Sequence, residues 1–400
     1  MNSLKSKPIA INLDAAKLCT HMGNICKGVW QSTVLPILDH ILVEIKDKKI
    51  SFTSTDLNNY NSYFEETDCS QEITFLIPAK SLFNFFTKAT LFQPQVTIIV
   101  LKGFYVQLQC GDVKIKISID EDPGNYPKIP IIENEKSNFT IQGKELVKFF
   151  TKAMVCISTD ELRPAMTGVN FSNKNGKLEI ATSDAHRLYW DQIMPYPKDL
   201  QNVENLPPTT DNKKNVRVHD GFLVNANAAR KIIKQFNEGD VKVTVDFPNI
   251  YFENKKYRLV SRQIDARFPD YPVVIPSPQV TKITFNATRK QLRSFLLMAM
   301  PFINATTKQI TCIVSKDWVD LSGINEDSWE KSDVSFRLPI FNSNFAEDEP
   351  VKFAVNAFFM LSVVNQSTDP YVKINMSNQS SKAFIIDDHF LMMPLITNNA

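Results

Sequence analysis

Apolar residues recur along the chain with two periods that alternate in a fixed order. Over Asp14–Gly28, Lys144–Ile157 and Thr288–Met300 they fall three and four residues apart, the spacing of a helix with one buried face. The same spacing returns over Ala79–Thr90, Ala226–Asn237 and Asn356–Asn365. Between these segments, stretches such as Val113-Lys114-Ile115-Lys116-Ile117-Ser118-Ile119 alternate apolar and polar residues, which predicts strands of a sheet with one buried face. The order strand, helix, strands, helix, strands thus occurs about three times. Each first helix and each second helix recurs after roughly 130–145 residues, the behaviour of three copies of one domain. Two copies also end alike, in Asn125-Tyr126-Pro127-Lys128-Ile129-Pro130 and Asp270-Tyr271-Pro272-Val273-Val274-Ile275-Pro276, where prolines break regular structure. Boundaries near 135 and 277 follow, giving α+β domains over 1–135, 136–277 and 278–400. Tyr196–Val216, rich in Asn, Asp, Pro and Thr, reads as an exposed loop of unusual length inside the second.

Composition narrows the classes of function. The chain of 400 residues is 43% hydrophobic and 22% charged, ordinary for a soluble protein, and its apolar runs (Val96–Leu101 and Phe295–Ile303) are core-sized. The N-terminal MNSLKSKPIA has no apolar stretch behind its lysines, so a cytoplasmic protein is expected. Cys19, Cys26, Cys69, Cys110, Cys156 and Cys312 are scattered without a C-x-x-C, the pattern of buried reduced thiols rather than zinc ligands or disulfides. With 11 glycines and no Gly-rich loop, the common nucleotide-binding signatures are missing and no cofactor is expected.

Three groups of polar residues invite a chemical reading. Ser183, Asp184 and His186 are the components of an activated nucleophile, but they stand too close along one strand or turn to form a relay, and no G-x-S-x-G elbow is present. Glu65-Glu66, Asp120-Glu121-Asp122 and Asp387-Asp388-His389 read as solvated loops or turns, because nothing nearby supplies a base or a phosphate cradle. The basic residues of the helices carry more. Lys17 and Lys27 lie in the first, Lys80 and Lys88 in the second, Lys144, Lys148 and Lys152 in the third, Arg230, Lys231 and Lys234 in the fourth, and Arg289, Lys290 and Arg293 in the fifth. Like charges four residues apart share a face and repel unless something anionic offsets them. The bias on five of six helices points to one anionic partner. A net charge of +2 means that such binding depends on where charges sit. The sixth helix lacks basic residues.

Several segments, in both content and order, resemble the bacterial DNA sliding clamp family, the beta subunits of DNA polymerase III. They are Leu35-Pro36-Ile37-Leu38-Asp39-His40-Ile41-Leu42, Ile50-Ser51-Phe52-Thr53-Ser54-Thr55-Asp56-Leu57, Ile77-Pro78-Ala79-Lys80, Arg163-Pro164-Ala165-Met166-Thr167-Gly168-Val169-Asn170-Phe171, Ala181-Thr182-Ser183-Asp184-Ala185-His186-Arg187-Leu188, Arg267-Phe268-Pro269-Asp270-Tyr271 and Met393-Pro394-Leu395. Ala185 departs from the family's glycine, the 196–216 loop is long, and the chain runs to Ala400, past the family's usual end.

The resemblance implies a non-catalytic processivity factor of DNA replication. Three pseudo-repeated DNA-clamp domains per chain would close as a head-to-tail homodimer into a six-domain ring. Double-stranded DNA would lie against the basic helix residues named above, held without sequence preference. The interface would pair Ile115 and Ile117 with an apolar helix end at Leu296, Met300 and Phe302. DNA polymerase, clamp loader and repair proteins would bind through short linear motifs of the Gln-Leu-x-Leu-Phe kind. Their pocket is implied at Met166, Ser183, His186, Arg187, Leu188, Pro269, Val274, Met392, Met393 and Pro394. Ala165 stands there in place of a frequent aromatic and Ile396 in place of a frequent basic residue, with Thr397–Ala400 able to fold across the opening. A specialised or competing clamp paralogue is the alternative within the family, and a DNA-processing enzyme the alternative outside it.

Overall fold

The computed structural model describes residues 8–396 apart from 27–34, 93–94, 102–104, 120–122, 134–136, 203–220, 327–330 and 347–348. Lys27, the acidic run 120–122, the expected boundary at 135, the long loop from 203 onward and the tail 397–400 therefore lie outside the described residues. Six α-helices form where the apolar spacing is helical: α1 (Ala15–Cys26), α2 (Ala79–Ala89), α3 (Gly143–Ala153), α4 (Ala226–Gln235), α5 (Arg289–Ala299) and α6 (Ala357–Val364). Each buries one stripe, as Leu18, Met22 and Ile25 do on α1 and Leu292, Phe295 and Leu296 on α5. Two start with an asparagine cap: the Asn225 side chain accepts a hydrogen bond from the Ala228 amide at 2.9 Å, and Asn356 accepts from the Phe359 amide at 3.1 Å. Among the described residues no helix is long and apolar enough to cross a membrane.

The chain divides into two units, one of residues 1–150 with 196–264 and the other of 151–195 with 265–400. The first unit holds two antiparallel sheets. Four strands run in the order Ile9–Asp14, Gln95–Leu101, Tyr105–Cys110, Val113–Ser118. Eight run in the order Ile73–Pro78, His40–Lys46, Lys49–Thr55, Asn59–Glu66, Tyr257–Arg262, Asn249–Glu253, Asp240–Asp246, Asn138–Gln142. The larger sheet crosses the expected boundary near 135, because Asn59–Glu66 pairs with Tyr257–Arg262, Asn61 opposite Leu259. Packed on these sheets, α1, α2 and α4 enclose cores that include Phe52, Tyr63, Phe86, Phe236 and Phe252. In the second unit, strands Gly168–Lys174, Lys177–Ser183 and Arg187–Pro195 are followed in the ladder by Phe390–Met392, Phe384–Ile386, Tyr371–Met376 and Ile283–Thr288. The ladder continues through Ser332–Phe341, Trp318–Asn325, Gln309–Val314 and Val351–Asn356. Residues on either side of the expected boundary at 277 are thus joined, since Arg187–Pro195 pairs with Phe390–Met392. Antiparallel ladders continue wherever an edge strand finds a partner with matching burial, so the two units do not follow the three sequence repeats.

The strand Val113–Ser118 departs from its expected pattern. Its alternation predicts one buried face, yet Val113 and Ile115 are exposed and Ile117 is half-buried. It is the last strand of its sheet, and among the described residues no further strand pairs with its outer edge. Long exposed apolar edges are uncommon in monomers because they offer unpaired backbone groups for strand addition.

Gly143 opens α3 against main chain: its amide donates to the Gly239 carbonyl at 2.8 Å, and a Cβ there would stand 2.1 Å from the Phe236 carbonyl oxygen. Backbone cannot swing aside as a side chain tip can. Gly143→Ala is expected to lower the stability of the first unit by about 3 kcal/mol, seen as a lower denaturant midpoint by circular dichroism. An unchanged midpoint would show that the start of α3 relaxes freely.

Candidate functional site

The hairpin formed by Lys177–Ser183 and Arg187–Pro195 turns through Asp184, Ala185 and His186. Its polar side chains are committed to the turn. The Asp184 carboxylate accepts from the amides of His186 (3.0 Å) and Arg187 (2.6 Å), and from Nε and Nη2 of Arg187 at 2.9 and 2.6 Å. The Ser183 hydroxyl donates to the Arg187 carbonyl at 2.9 Å and accepts from the Ala185 amide at 3.2 Å. A nucleophile needs a base within hydrogen-bond reach, and here neither Ser183 nor Asp184 has His186 imidazole as a hydrogen-bond partner among the described interactions. The three residues build a turn, not a relay.

Arg187 is 7% exposed, so its charge needs partners. Besides Asp184, its Nη1 donates to Ser362 Oγ at 2.5 Å, and the guanidinium lies 4.2 Å from the centre of the Phe359 ring. The exposed His186 ring stacks on the same Phe359 at 5.6 Å. Phe359 and Ser362 both come from α6, and neither was expected at the site. The signal for them was an absence: α6 is the helix without basic residues, and its polar and aromatic groups face this hairpin instead.

The C-terminal strand completes the surface. Phe390–Met392 pairs with Arg187–Pro195, placing Arg187 opposite Met392 and Leu188 opposite Leu391. The Met393 amide then donates to the His186 carbonyl at 2.9 Å, which brings Ser183, His186, Arg187, Leu188, Met392, Met393 and Pro394 together. Met166, Pro269 and Val274 are placed by other segments. Met166 lies in the turn Pro164–Thr167 that leads into Gly168–Lys174, and its carbonyl accepts from the Ser158 amide. Pro269 and Val274, both exposed, flank Tyr271, whose hydroxyl donates to Glu179 at 2.6 Å. The expected pocket wall needs one correction in kind. Met392 is 1% exposed, and Leu188 and Met166 are buried, so these three form support beneath the surface. Met393, at 40% exposure, stands just past the end of the strand Phe390–Met392, all three residues of which are buried.

The basic helix residues divide by exposure. Lys17, Lys80, Lys88, Lys144, Lys148, Arg230, Lys234, Lys290 and Arg293 are exposed, whereas Lys152, Lys231 and Arg289 are half-buried. Burial lowers the pKa of Lys231, with Asp56 acting in the opposite sense. On α5 the arginines also serve the fold: Arg289 donates to the Ser367 carbonyl, and Arg293 Nε donates to Asn365 Oδ1 at 2.8 Å. The apolar end of α5 differs from expectation. Leu296, at 1% exposure, faces the core, one position away from an exposed stripe of Leu297 and Met298, the latter 69% exposed, while Phe302 is exposed and Met300 half-buried.

Among the described residues no group of three or more His, Cys, Asp or Glu is placed to hold a metal ion. All six cysteines are free; Cys26, Cys110, Cys156 and Cys312 are buried, and burial pushes Cys26 and Cys312 up to about 12.

Comparison with known proteins adds a family. The model of the DNA polymerase III beta subunit N-terminal domain matches residues 9–130, and that of its central domain residues 140–270. The beta sliding clamp of Chlamydia muridarum is 24% identical over 383 residues, covering 94% of this chain and 96% of that protein. That of Caulobacter vibrioides is 23% identical over 409 residues, covering 96% and 99%. Among solved structures, the griselimycin-bound sliding clamp of Bartonella birtlesii superposes with a TM-score of 0.83 at 17% identity, covering 98% of this chain and all of that one. The beta subunit from Thermotoga maritima gives 0.80 at 19%, with coverage of 98% and 100%.

Ala185 sits at φ +71°, in the left-handed region where a Cβ is crowded by the carbonyl. Ala185→Gly is expected to relieve that strain and stabilise the second unit by about 1 kcal/mol, read as a higher denaturant midpoint. A lower midpoint would mean that the turn carries no strain at this position.

Proposed function

This chain belongs to the DNA polymerase III beta-subunit family of sliding clamps, and from that premise we propose that it encircles duplex DNA and tethers polymerases and other partners without catalysing a reaction. Its three pseudo-equivalent domains, over 1–135, 136–277 and 278–400, close with those of a second chain into a head-to-tail ring of six. The observation that carries this reading is the exposed basic face repeated on successive helices, including Lys80 and Lys88, Lys144 and Lys148, and Arg230 and Lys234. Such faces suit phosphate contacts that are individually weak, independent of base sequence and screened by salt, which lets the protein slide. Topology supplies retention instead: a closed ring cannot leave sideways, and it holds a tethered polymerase at high local concentration near the primer end.

Ring closure uses the uncovered edge strand Val113–Ser118, with Ile115 and Ile117, against the exposed end of α5 and Phe302 of the second chain. Burying several such side chains contributes roughly 1.5–3 kcal/mol each. Partners dock at the surface of His186, Met393, Pro394, Pro269 and Val274, with Phe359 as a further wall. Flexible methionine beside fixed aromatic rings accommodates leucine and phenylalanine anchors of several motifs.

Two experiments test this reading. Light scattering should give a mass near twice 45.6 kDa, with the protein retained on closed circular DNA and released when that DNA is cut. Ile115→Glu combined with Phe302→Glu should yield monomers that are not retained; equal retention on linear DNA with free ends would sink the topological link. For the pocket, a fluorescent Gln-Leu-x-Leu-Phe peptide should bind the Met393→Ala, Pro394→Ala double variant roughly tenfold or more weakly than the unaltered chain, with the dimer unchanged. Equal affinity for both would remove the pocket assignment.

A further inference from the structure

A second cavity, of about 370 Å³, lies in the second unit and is lined in part by Glu179, Trp190, Asp191, Tyr271 and His389. Its size is that of a ligand pocket rather than a packing defect. Glu179 is buried, and its carboxylate accepts from two neutral donors, the Tyr271 hydroxyl at 2.6 Å and Gln192 Nε2 at 3.0 Å. Among the described residues no cation pairs with it. Asp191 accepts from the Tyr189 hydroxyl at 3.2 Å and from the Gln192 amide at 2.9 Å, and lies 3.5 Å from His389 Nδ1. The lysine at the rim, Lys174, is 3.3 Å from Asp270 and lies 5.5 Å from the centre of the Tyr271 ring, which leaves the Trp190 ring as the open aromatic wall.

Two carboxylates with no lysine or arginine partner among the described residues, beside the rings of Trp190 and Tyr271, give a negative, aromatic-walled space. That combination recognises a guanidinium or ammonium group through charge and ring faces together. Position supplies the source of such a group. Glu179 precedes Ser183 by four residues on one strand, about 13 Å at 3.3 Å per residue, and both side chains point to the same face. The segment holding Pro269 and Val274 also carries Tyr271 into the cavity wall. A chain seated at the hairpin reaches the cavity with about four extended residues.

We propose that this cavity is a second subsite, taking the arginine or lysine side chain of a residue that flanks the linear motif of a docked partner. The proposal rests on the docking of such motifs at the hairpin pocket. It selects among partners by a basic residue outside the apolar motif, where the motif alone would not discriminate.

The test uses the full chain and fluorescent Gln-Leu-x-Leu-Phe peptides, bare or joined through a four-residue Gly-Ser spacer, at either end, to arginine, alanine or glutamate. One arginine peptide should bind about fivefold more tightly than its alanine counterpart, and the glutamate peptide no more tightly than alanine. Asp191→Asn and Trp190→Ala should each remove most of that gain while leaving the affinity for the bare peptide unchanged, which also reports that both variants fold. Asp317→Asn, which removes the same charge outside the cavity, should retain the gain. If the bare peptide binds but arginine gives no gain at either end, or the gain survives both cavity substitutions, the subsite is overturned and the hairpin pocket stands. If the bare peptide does not bind, the hairpin pocket falls, and the subsite with it.

Discussion

The pairing of Arg187–Pro195 with the short strand Phe390–Met392 decides how His186, Met393 and Pro394 of the proposed partner surface stand to one another. Three register pairs set it, Arg187 with Met392, Leu188 with Leu391 and Tyr189 with Phe390. A slip of one residue would turn each of these buried side chains to the opposite face of the sheet. The register is held from both sides. Tyr189 and Phe390 pack ring to ring at 5.0 Å, and beyond the strand the Leu395 amide donates to the Ala354 carbonyl at 2.8 Å. Residues near the end of the chain are thereby bound to a hairpin some two hundred positions earlier.

That hairpin in turn depends on a buried charge. Removing Arg187 from water is costly, and the cost is offset by three of its five guanidinium N–H donors, two on Asp184 and one on Ser362, with the Phe359 ring beneath the guanidinium. Breaking such a pair by deleting one partner typically costs about 3–5 kcal/mol, far more than an exposed ion pair contributes. Geometry is the return. The fork of the guanidinium fixes the turn and α6 with respect to one another, so His186 and Phe359 present a rigid aromatic surface next to a flexible Met393.

The helices follow a different logic. Their lysines are mostly exposed, and among the described residues none of them forms an ion pair, which suits the exchangeable phosphate contacts proposed for them. On α5 the arginines are shared with Ser367 and Asn365, and on α6 there is no basic residue at all. The charge of the third repeat is therefore thinner than that of the first two. The proposed retention by ring closure, rather than by affinity, tolerates such unevenness.

Much of this was legible in the amino-acid sequence. The periods of apolar residues located all six helices to within four residues at either end, the largest difference being α3, which ends at Ala153 rather than Ile157, and the ordered segments from Leu35 to Leu395 identified the family. Periodicity reports one face of one element, and those faces pack locally. Which elements share a sheet is set by long-range pairing, and only the tertiary structure decided that the ladders run through both expected boundaries. It also decided which neighbour of a pair is exposed: Met393 rather than Met392, and Leu297 and Met298 rather than Leu296. Phe359 and Ser362 came to the site from a helix whose sequence showed only a lack of charge. The alternation in Val113–Ser118 was visible from the start, but only the tertiary structure placed it last in its sheet with Val113 and Ile115 exposed, where among the described residues no further strand pairs with it.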